Sequence, residues 1–348
     1  MGQNEMMNAV KFVEKDVMEV VKKPIPEIAE DEVLIELKAS GLCTADLKLW
    51  HAVSVLGDSG SVSPFTPGHE SCGVVSKIGD RVANVKVGDR IVVYMMYGCE
   101  KCEYCNMGYT MLCRDFNCMG FGRDGGHADY VAIPAINCLP IPDEMSYIRA
   151  AVTIDVGGTL YSSCKALQLN GRDTLAIFGA GPMGCGGVML AKAFGARVIA
   201  VDLSDDRLEF ARKCGADFTV NPAKTDLMEE LARITNGKMC DAAIDCTGNE
   251  KAERSAFECI RPFGRVNIVG ENTSCTIDPS NHFLRKMCTA TASWIYPKTG
   301  WVEIINFIME KDIPLEMLAT HTFDITAAQK AYEMYEAQQT QKALFIWD

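Results

Sequence analysis

Residues 174–204 read TLAIFGAGPMGCGGVMLAKAFGARVIAVDLS, and the reading of this stretch decides the fold. An apolar run ends at Phe178, three glycines follow at Gly179, Gly181 and Gly184, a small-residue helical pattern succeeds them, and ARVIAVD closes the unit. The order is strand, glycine turn, helix, strand. The spacing G-x-G-x-x-G permits a tight turn, close approach of a pyrophosphate and close helix–strand packing, while the helix N-terminus supplies positive potential. Set between a strand and a helix, it predicts a dinucleotide cradle made by Gly179, Gly181, Pro182, Met183 and Gly184. Asp202 ends the following strand 18 residues past Gly184, where a carboxylate can accept bonds from both adenosine ribose hydroxyls and repel a 2′-phosphate. NAD is therefore expected rather than NADP. A purely structural glycine turn, with Asp202 capping the next segment, is the competing reading.

Outward from this unit the same texture continues. DDRLEFARKCGA reads as a helix, DAAIDCTG and GRVNIVGE as buried parallel strands, and ERSAFECIRPF as the helix between them. A mixed tail ends in the helical AAQKAYEMYEAQ and the strand-like ALFIWD. Before about Val156 the pattern differs: VLIELKAS, CGVVSKIG, DRIVVYMM and ADYVAIP are short β-branched runs broken by Gly, Pro and Asp, as in a strand-rich, barrel-like domain. A chain of 348 residues exceeds the usual single domain. We expect an α/β organisation with a β-rich catalytic domain over residues 1–155, a doubly wound cofactor domain over 156–290, and a segment over 291–348 returning to the first.

Composition narrows the partners. Hydrophobic content of 48% and charged content of 23% are those of a globular protein. A net charge of −12 with no basic run argues against nucleic acid or an anionic membrane surface. The longest apolar stretch, GGVMLAKAFGARVIAV, is interrupted by Lys192 and Arg197 and falls short of a membrane span. The N-terminus shows no signal-peptide pattern, so a cytoplasmic location is expected.

Sixteen cysteines in a reducing compartment are ligands, catalytic groups or small buried residues before they are disulfides. Eleven are scattered and read as buried and inert. Cys99, Cys102, Cys105 and Cys113 are different: CEKCEYCNMGYTMLC packs four thiols into a polar, loop-like segment with the spacing C-x2-C-x2-C-x7-C. Four thiolates complete a tetrahedron around zinc and leave no open position, which marks a structural site. An iron–sulfur cluster accepts the same ligands and is the main rival.

Chemistry must then lie elsewhere. Cys43 in ASGLCTADLKLW and His69 in TPGHE offer a thiolate and an imidazole, and Asp155 in AVTIDVGGT is the candidate third ligand, at the point where the first domain gives way to the second. Three protein ligands with one open position are what a catalytic zinc needs.

Taken together, GLCTAD, PGHE, KVGDRI, the four-cysteine loop, DGGHADY, GAGPMG and VDLSDDRLEFA resemble the zinc-dependent medium-chain dehydrogenase/reductase superfamily of alcohol and polyol dehydrogenases over essentially the whole length. The resemblance implies a GroES-like catalytic domain with an inserted Rossmann domain, and two zinc ions and NAD per chain. It also implies that Cys43 and His69 bind the catalytic zinc, that Glu70 is a carboxylate able to join the metal, that Asp46 orients His69, and that Arg207 reaches the adenosine ribose beside Asp202. A homotetramer, with a dimer as the alternative, follows from the same source.

Several positions depart from the family pattern. Ala45 stands where relatives commonly carry a proton-relaying Ser or Thr, with Thr44 beside it, and Lys48 replaces a frequent His. Lys48, His51 or ordered water must then carry the proton. Asp155 is one methylene shorter than the Glu of polyol dehydrogenases, and WIYPKTGW lacks the arginine of sorbitol dehydrogenases. TADLKLWH and Tyr296-Pro297 are more similar to dehydrogenases of short polyols such as threitol or erythritol. Trp50, Phe121 and Trp294 are candidates to wall the pocket. The expected reaction is hydride transfer between a secondary alcohol, a polyol or sugar alcohol, and NAD, giving a ketone. An aldehyde or ketone reductase working in reverse and a silent NAD-binding scaffold are the alternatives.

Overall fold

The structure is a computed structural model that describes residues 5–53, 55 and 62–348. The chain forms two compact units. One comprises Met1–Asp155, Pro297–Ile305 and Glu316–Asp348; the other comprises Val156–Tyr296 and Asn306–Leu315.

The second unit is built on a six-stranded parallel sheet with the spatial order Phe218–Val220, Arg197–Val201, Thr174–Phe178, Cys240–Asp245, Ile260–Ile268, Thr289–Ala292. This is the Rossmann order, in which the connections reverse between the third and fourth strands and ligands bind outside the carboxyl ends of the strands there. Each crossover helix begins where a cap stops the strand's conformation. Gly181 caps Pro182–Ala193 with proline at the first position, Ser204 Oγ accepts the Arg207 N–H, and Asp226 and Asn249 cap Leu227–Ile234 and Glu250–Glu258.

The structure corrects the reading of ERSAFECIRPF as helix throughout: the helix ends at Glu258, and Ile260–Ile268 is already strand. Pro262 is the physical reason, because the residue before a proline is pushed out of the helical region. The register then shifts between Cys240 and Ala242, and the extra residues bulge outward with Phe263 at φ 61° and 64% exposed. Departure from this unit comes later than residue 291. Thr289–Ala292 is needed as the sixth strand, and Phe307 in the helix Trp301–Glu310 packs between Tyr161 and Phe194, with ring centroids at 5.1 and 4.7 Å.

In the first unit, a seven-stranded sheet runs Ala319–Phe323, Lys342–Ile346, Glu32–Gly41, Glu70–Ile78, Arg90–Val93, Cys138–Pro140, with Tyr130–Pro134 also on Glu32–Gly41. Every pairing except the first is antiparallel. A separate hairpin, Met6–Glu14 with Val17–Pro24, shares a core with the helix Ala328–Glu336. Glu32–Gly41 is the pivot, because Gly41 lies opposite Glu70 on one side and Leu344 on the other. Arg90 then fixes the approach to Asp155. Its guanidinium donates to the carbonyls of Pro142, Asp143 and Met145 at 2.8, 2.6 and 2.6 Å and stacks over the Tyr147 ring, from which the helix Tyr147–Val152 begins.

His51 joins three elements of this unit. Nδ1 lies 2.6 Å from Asp16 in the hairpin turn and Nε2 lies 2.7 Å from Glu336 at the end of Ala328–Glu336. The Asp16 hydrogen bond, opposed in part by burial and reinforced by Glu336, raises the imidazole above its ordinary value. A raised folded-state pKa contributes stability that is complete below the unfolded value and is lost as pH rises through the folded value. His51→Gln is therefore expected to lower the melting temperature most below about pH 6.5, with the deficit shrinking as pH rises; denaturation scans across pH check this. Phe263→Gly is expected to raise stability by about 1 kcal/mol, because the left-handed backbone suits glycine and little buried area is lost. Urea unfolding of the two proteins measures that difference.

Candidate metal and cofactor sites

The four-cysteine segment folds as intended by its spacing. Glu103–Asn106 is one helical turn, Thr110–Leu112 another, and the ligating atoms of Cys99, Cys102, Cys105 and Cys113 lie within 4.8 Å of one another. Backbone N–H groups face the sulfurs: Cys99 N donates to Cys113 Sγ at 3.4 Å and Cys105 N to Cys102 Sγ at 3.5 Å. The N–H groups of Lys101 and Cys102 hold the Cys99 thiol down at about 7, while burial pushes that of Cys105 up to about 12. Lys298 ties the lobe to the rest of the unit, pairing with Glu100 at 3.2 Å and donating its own N–H to the Gly108 carbonyl at 2.8 Å. Four sulfurs and nothing else suit a zinc with no vacant position.

A second cluster brings Cys43, His69, Glu70 and Asp155 together, again with ligating atoms within 4.8 Å. Each comes from a different local device. Cys43 precedes the helix Thr44–Trp50, and Asp46 in its first turn reaches back to accept the Cys43 N–H at 2.9 Å. The same carboxylate accepts the Gly68 N–H at 3.2 Å and stands 3.4 Å from His69 Nδ1. With Nδ1 turned to Asp46, Nε2 is the nitrogen presented to a metal. Glu70 opens the strand Glu70–Ile78, and a Cβ on Gly41 opposite would lie 2.5 Å from Glu70 Oε2, so only glycine leaves room for that carboxylate. Asp155 sits in a π-helical turn, Thr153–Gly157, a distortion that recurs where a helix re-aims a side chain into a site.

The electrostatics fit a cation. Burial pushes Asp46 up, but the neighbouring His69 and the backbone donors more than reverse this and hold the carboxyl at about 2. Among the described residues, Glu70 Oε2 is buried with no hydrogen-bond partner, a state that is costly unless something else satisfies it. Thiolate, imidazole and carboxylate are a donor set for zinc, and three of them leave a fourth position for substrate. On this basis Cys43, His69 and Asp155 fit the catalytic ion, with Glu70 beside it.

At the glycine turn, a Cβ on Gly184 would lie 1.7 Å from the Gly179 carbonyl oxygen, so the helix packs onto the strand only through glycine. A Cβ on Gly181 would meet nothing within 4 Å, which leaves open space over the helix N-terminus. Asp202 fastens the turn: Oδ2 accepts the Ala180 N–H at 2.7 Å and Oδ1 the Ser204 N–H at 2.8 Å. Each oxygen retains a lone pair for a ribose hydroxyl. Pro182 and Met183 form the first turn of the helix, and Arg207 stands in the first turn of Asp205–Lys213.

The remaining candidates separate. Phe121 lies beside His69, ring centroids 5.4 Å apart. Trp50 is core, edge-on to Tyr332 at 5.8 Å, which corrects its assignment as a pocket wall. Trp294 belongs to the second unit and is 40% exposed. Lys48 is half-buried on the Cys43 helix and Thr44 is exposed. His51 is held at both ring nitrogens by Asp16 and Glu336.

Two residues were not singled out in the sequence reading, although His127 lies within DGGHADY. His127 is buried, and burial lowers its pKa. Its Nε2 faces the Gly41 carbonyl at 3.2 Å and must carry the proton, leaving Nδ1 to accept from the Tyr332 hydroxyl at 2.9 Å. Lys342 is buried with its ammonium paired to Glu70 Oε1 and donating to the Leu42 carbonyl at 3.0 Å. Burial lowers the Lys342 pKa, but the adjoining carboxylate more than offsets it, so the amine stays charged. The sole hint was a lysine opening an otherwise apolar strand, KALFI.

Comparison with known proteins identifies the family. Residues 29–143 match the family profile of the alcohol dehydrogenase GroES-like domain, and residues 182–310 that of the zinc-binding dehydrogenase. The L-threonine 3-dehydrogenase of Pyrococcus horikoshii is 31% identical over 337 residues, covering 94% of each chain. The sorbitol dehydrogenase of Bacillus subtilis is 36% identical over 249 residues, covering 71% of this chain and 70% of the other. A crystal structure described as a short chain alcohol dehydrogenase from Escherichia coli CFT073, in complex with NADH, superposes with a TM-score of 0.89 at 26% identity, covering 98% of this chain and 99% of that one. The chain belongs to the zinc-dependent medium-chain dehydrogenase family, and is an oxidoreductase of the alcohol dehydrogenase type that works with zinc and NAD.

Proposed function

We propose that this chain oxidises a secondary hydroxyl of a small polyol or sugar alcohol to a ketone, and reduces the ketone when the cofactor ratio is reversed. The observation that carries the reading is the convergence of Cys43, His69, Glu70 and Asp155 on one point, with a donor set that leaves a position for substrate. When bound, zinc supplies Lewis acidity toward the hydroxyl and NAD accepts hydride. Everything else is the work of side chains. Cys43, His69 and Asp155 would hold the metal. Asp46 fixes the spacing of the first two ligands through the Cys43 and Gly68 N–H groups and faces the His69 ring. Phe121 gives that ring an apolar neighbour, which limits water. Gly181 and Gly184 would seat the pyrophosphate, and Asp202 the adenosine ribose.

For the outgoing proton, Ala45 has no hydroxyl and both ring nitrogens of His51 face carboxylates, which leaves Lys48 or ordered water to carry it. The relatives support a secondary alcohol: one is named for sorbitol, the other for position 3 of L-threonine. A homo-oligomer accords with the family resemblance.

The test is nicotinamide absorbance with NAD and a panel of four- to six-carbon polyols, simple secondary alcohols and L-threonine. Turnover on polyols that stops on metal removal supports the proposal; turnover on L-threonine alone replaces the substrate class; silence with one metal per chain sinks the enzyme reading in favour of a scaffold. Cys43→Ser is expected to lower turnover at least roughly a thousandfold while NADH binding, followed by fluorescence, changes little. Gly181→Ala is expected to keep the melting temperature and weaken NADH binding at least roughly tenfold, whereas Gly184→Ala loses both; thermal scans with NADH titration separate the two.

A further inference from the structure

The chain buries a lysine beside its metal cluster. Lys342 is 2% exposed, and its ammonium has two partners: the carboxylate of Glu70, itself 0% exposed, and the Leu42 carbonyl. Removing both charges of such a pair from water is costly, and a well-packed apolar pair serves stability as well or better. What the pair does to the cluster is therefore the informative question. The cluster gathers Cys43, His69, Asp155 and Glu70 at one point, and Lys342 engages the last of them directly. Asp46 stands one layer out, its charge taken up by the N–H groups of Cys43 and Gly68 and by the His69 ring.

The pairing is also one-sided. Lys342 engages Oε1, while Oε2 has no hydrogen-bond partner among the described residues and lies in the space that Gly41 leaves open. Glu70 is thus tethered at one oxygen beside a site it is otherwise able to close. Four protein ligands would make this second cluster as closed as the four-cysteine one, with no position for substrate.

We infer that Lys342 is a positioning residue that restrains Glu70 from becoming a permanent fourth ligand, and so keeps the metal's substrate position open. The inference rests on reading Cys43, His69 and Asp155 as the metal ligands. It assigns to the last strand a function in the site that its sequence distance conceals.

The experiment compares wild type with Lys342→Met, Lys342→Arg, Glu70→Gln and the double variant Lys342→Met/Glu70→Gln, each as holoenzyme and with cobalt(II) replacing zinc. Metal per chain, the rate of metal loss to a chelator, the cobalt ligand-field absorption and the melting temperature are measured beside turnover. Lys342→Met is expected to retain two metals per chain, to release the second at least roughly tenfold more slowly, to shift the cobalt band and to lose turnover. Lys342→Arg and Glu70→Gln are expected to keep the wild-type cobalt band. The double variant has no carboxylate to bind, so its release rate and band are expected to return toward wild type.

Two results overturn the inference. One is a Lys342→Met protein whose band and release rate match wild type, with only its melting temperature changed. The other is a Glu70→Gln protein with an altered band, which would mean that Glu70 already ligates in the resting state. Should Lys342→Met fail to fold, the band of Glu70→Gln and the release rate of the double variant carry the decision. A wild type holding one metal per chain would instead fail the underlying assignment, and is distinguished by that stoichiometry.

Discussion

The Asp46 carboxylate is the interaction on which the catalytic half of this protein depends. Its Oδ2 accepts the N–H of Cys43 and its Oδ1 that of Gly68, and it faces the ring of His69. Two loops separated by 26 residues are thereby held in one geometry before any metal arrives. Preorganisation of this kind is what lets ligands bind an ion without first collapsing around it. The arrangement is in turn supported from beneath, where His127 spans the Gly41 carbonyl and the Tyr332 hydroxyl. The strand end bearing Gly41 can then sit close against Glu70.

The same unit contains two clusters of different ligand chemistry. In the first, four sulfurs from one short segment leave nothing for chemistry to use, and the lobe serves as a fastening held by Lys298 and Glu100. In the second, ligands of three chemical kinds arrive from a helix cap, a strand end and a π-helical turn. Mixed origin is what allows one of them to be restrained while the others bind. A ligand set drawn from a single loop could not be tuned residue by residue in this way.

What the sequence disclosed and what it withheld divide along a physical line. The glycine turn, Asp202 and the four cysteines were readable because each is a local device: its partners lie within a few tens of residues and its spacing is its chemistry. Cys43, His69 and Asp155 were readable from their donor chemistry beside the cofactor turn and then from resemblance, since no spacing rule links residues so far apart. Lys342 left only the hint of a lysine opening an apolar strand, because its partner is 272 positions away and the strand register that unites them, Gly41 opposite both Glu70 and Leu344, is a property of the folded sheet. Trp50 misled for the opposite reason: an aromatic near a ligand suggests a pocket wall, but on the helix Thr44–Trp50 its face turns to Tyr332 and the core. In ERSAFECIRPF the apolar periodicity runs on past the point where Pro262 forbids the helix.

The distance between Glu70 and Lys342 also has a meaning in time. A ribosome delivers the chain from its N-terminus at about 5–20 residues per second, so the carboxylate exists for roughly 14 to 54 s before the ammonium that neutralises it has been made. During that interval Gly41 and Leu42 lack the neighbouring strand Lys342–Ile346 as well. Nascent chains therefore carry an exposed sheet edge and an uncompensated anion at the position where the metal will bind. The strand Lys342–Ile346 closes both at once, making the pairing of that edge and the charge balance of the site a single event.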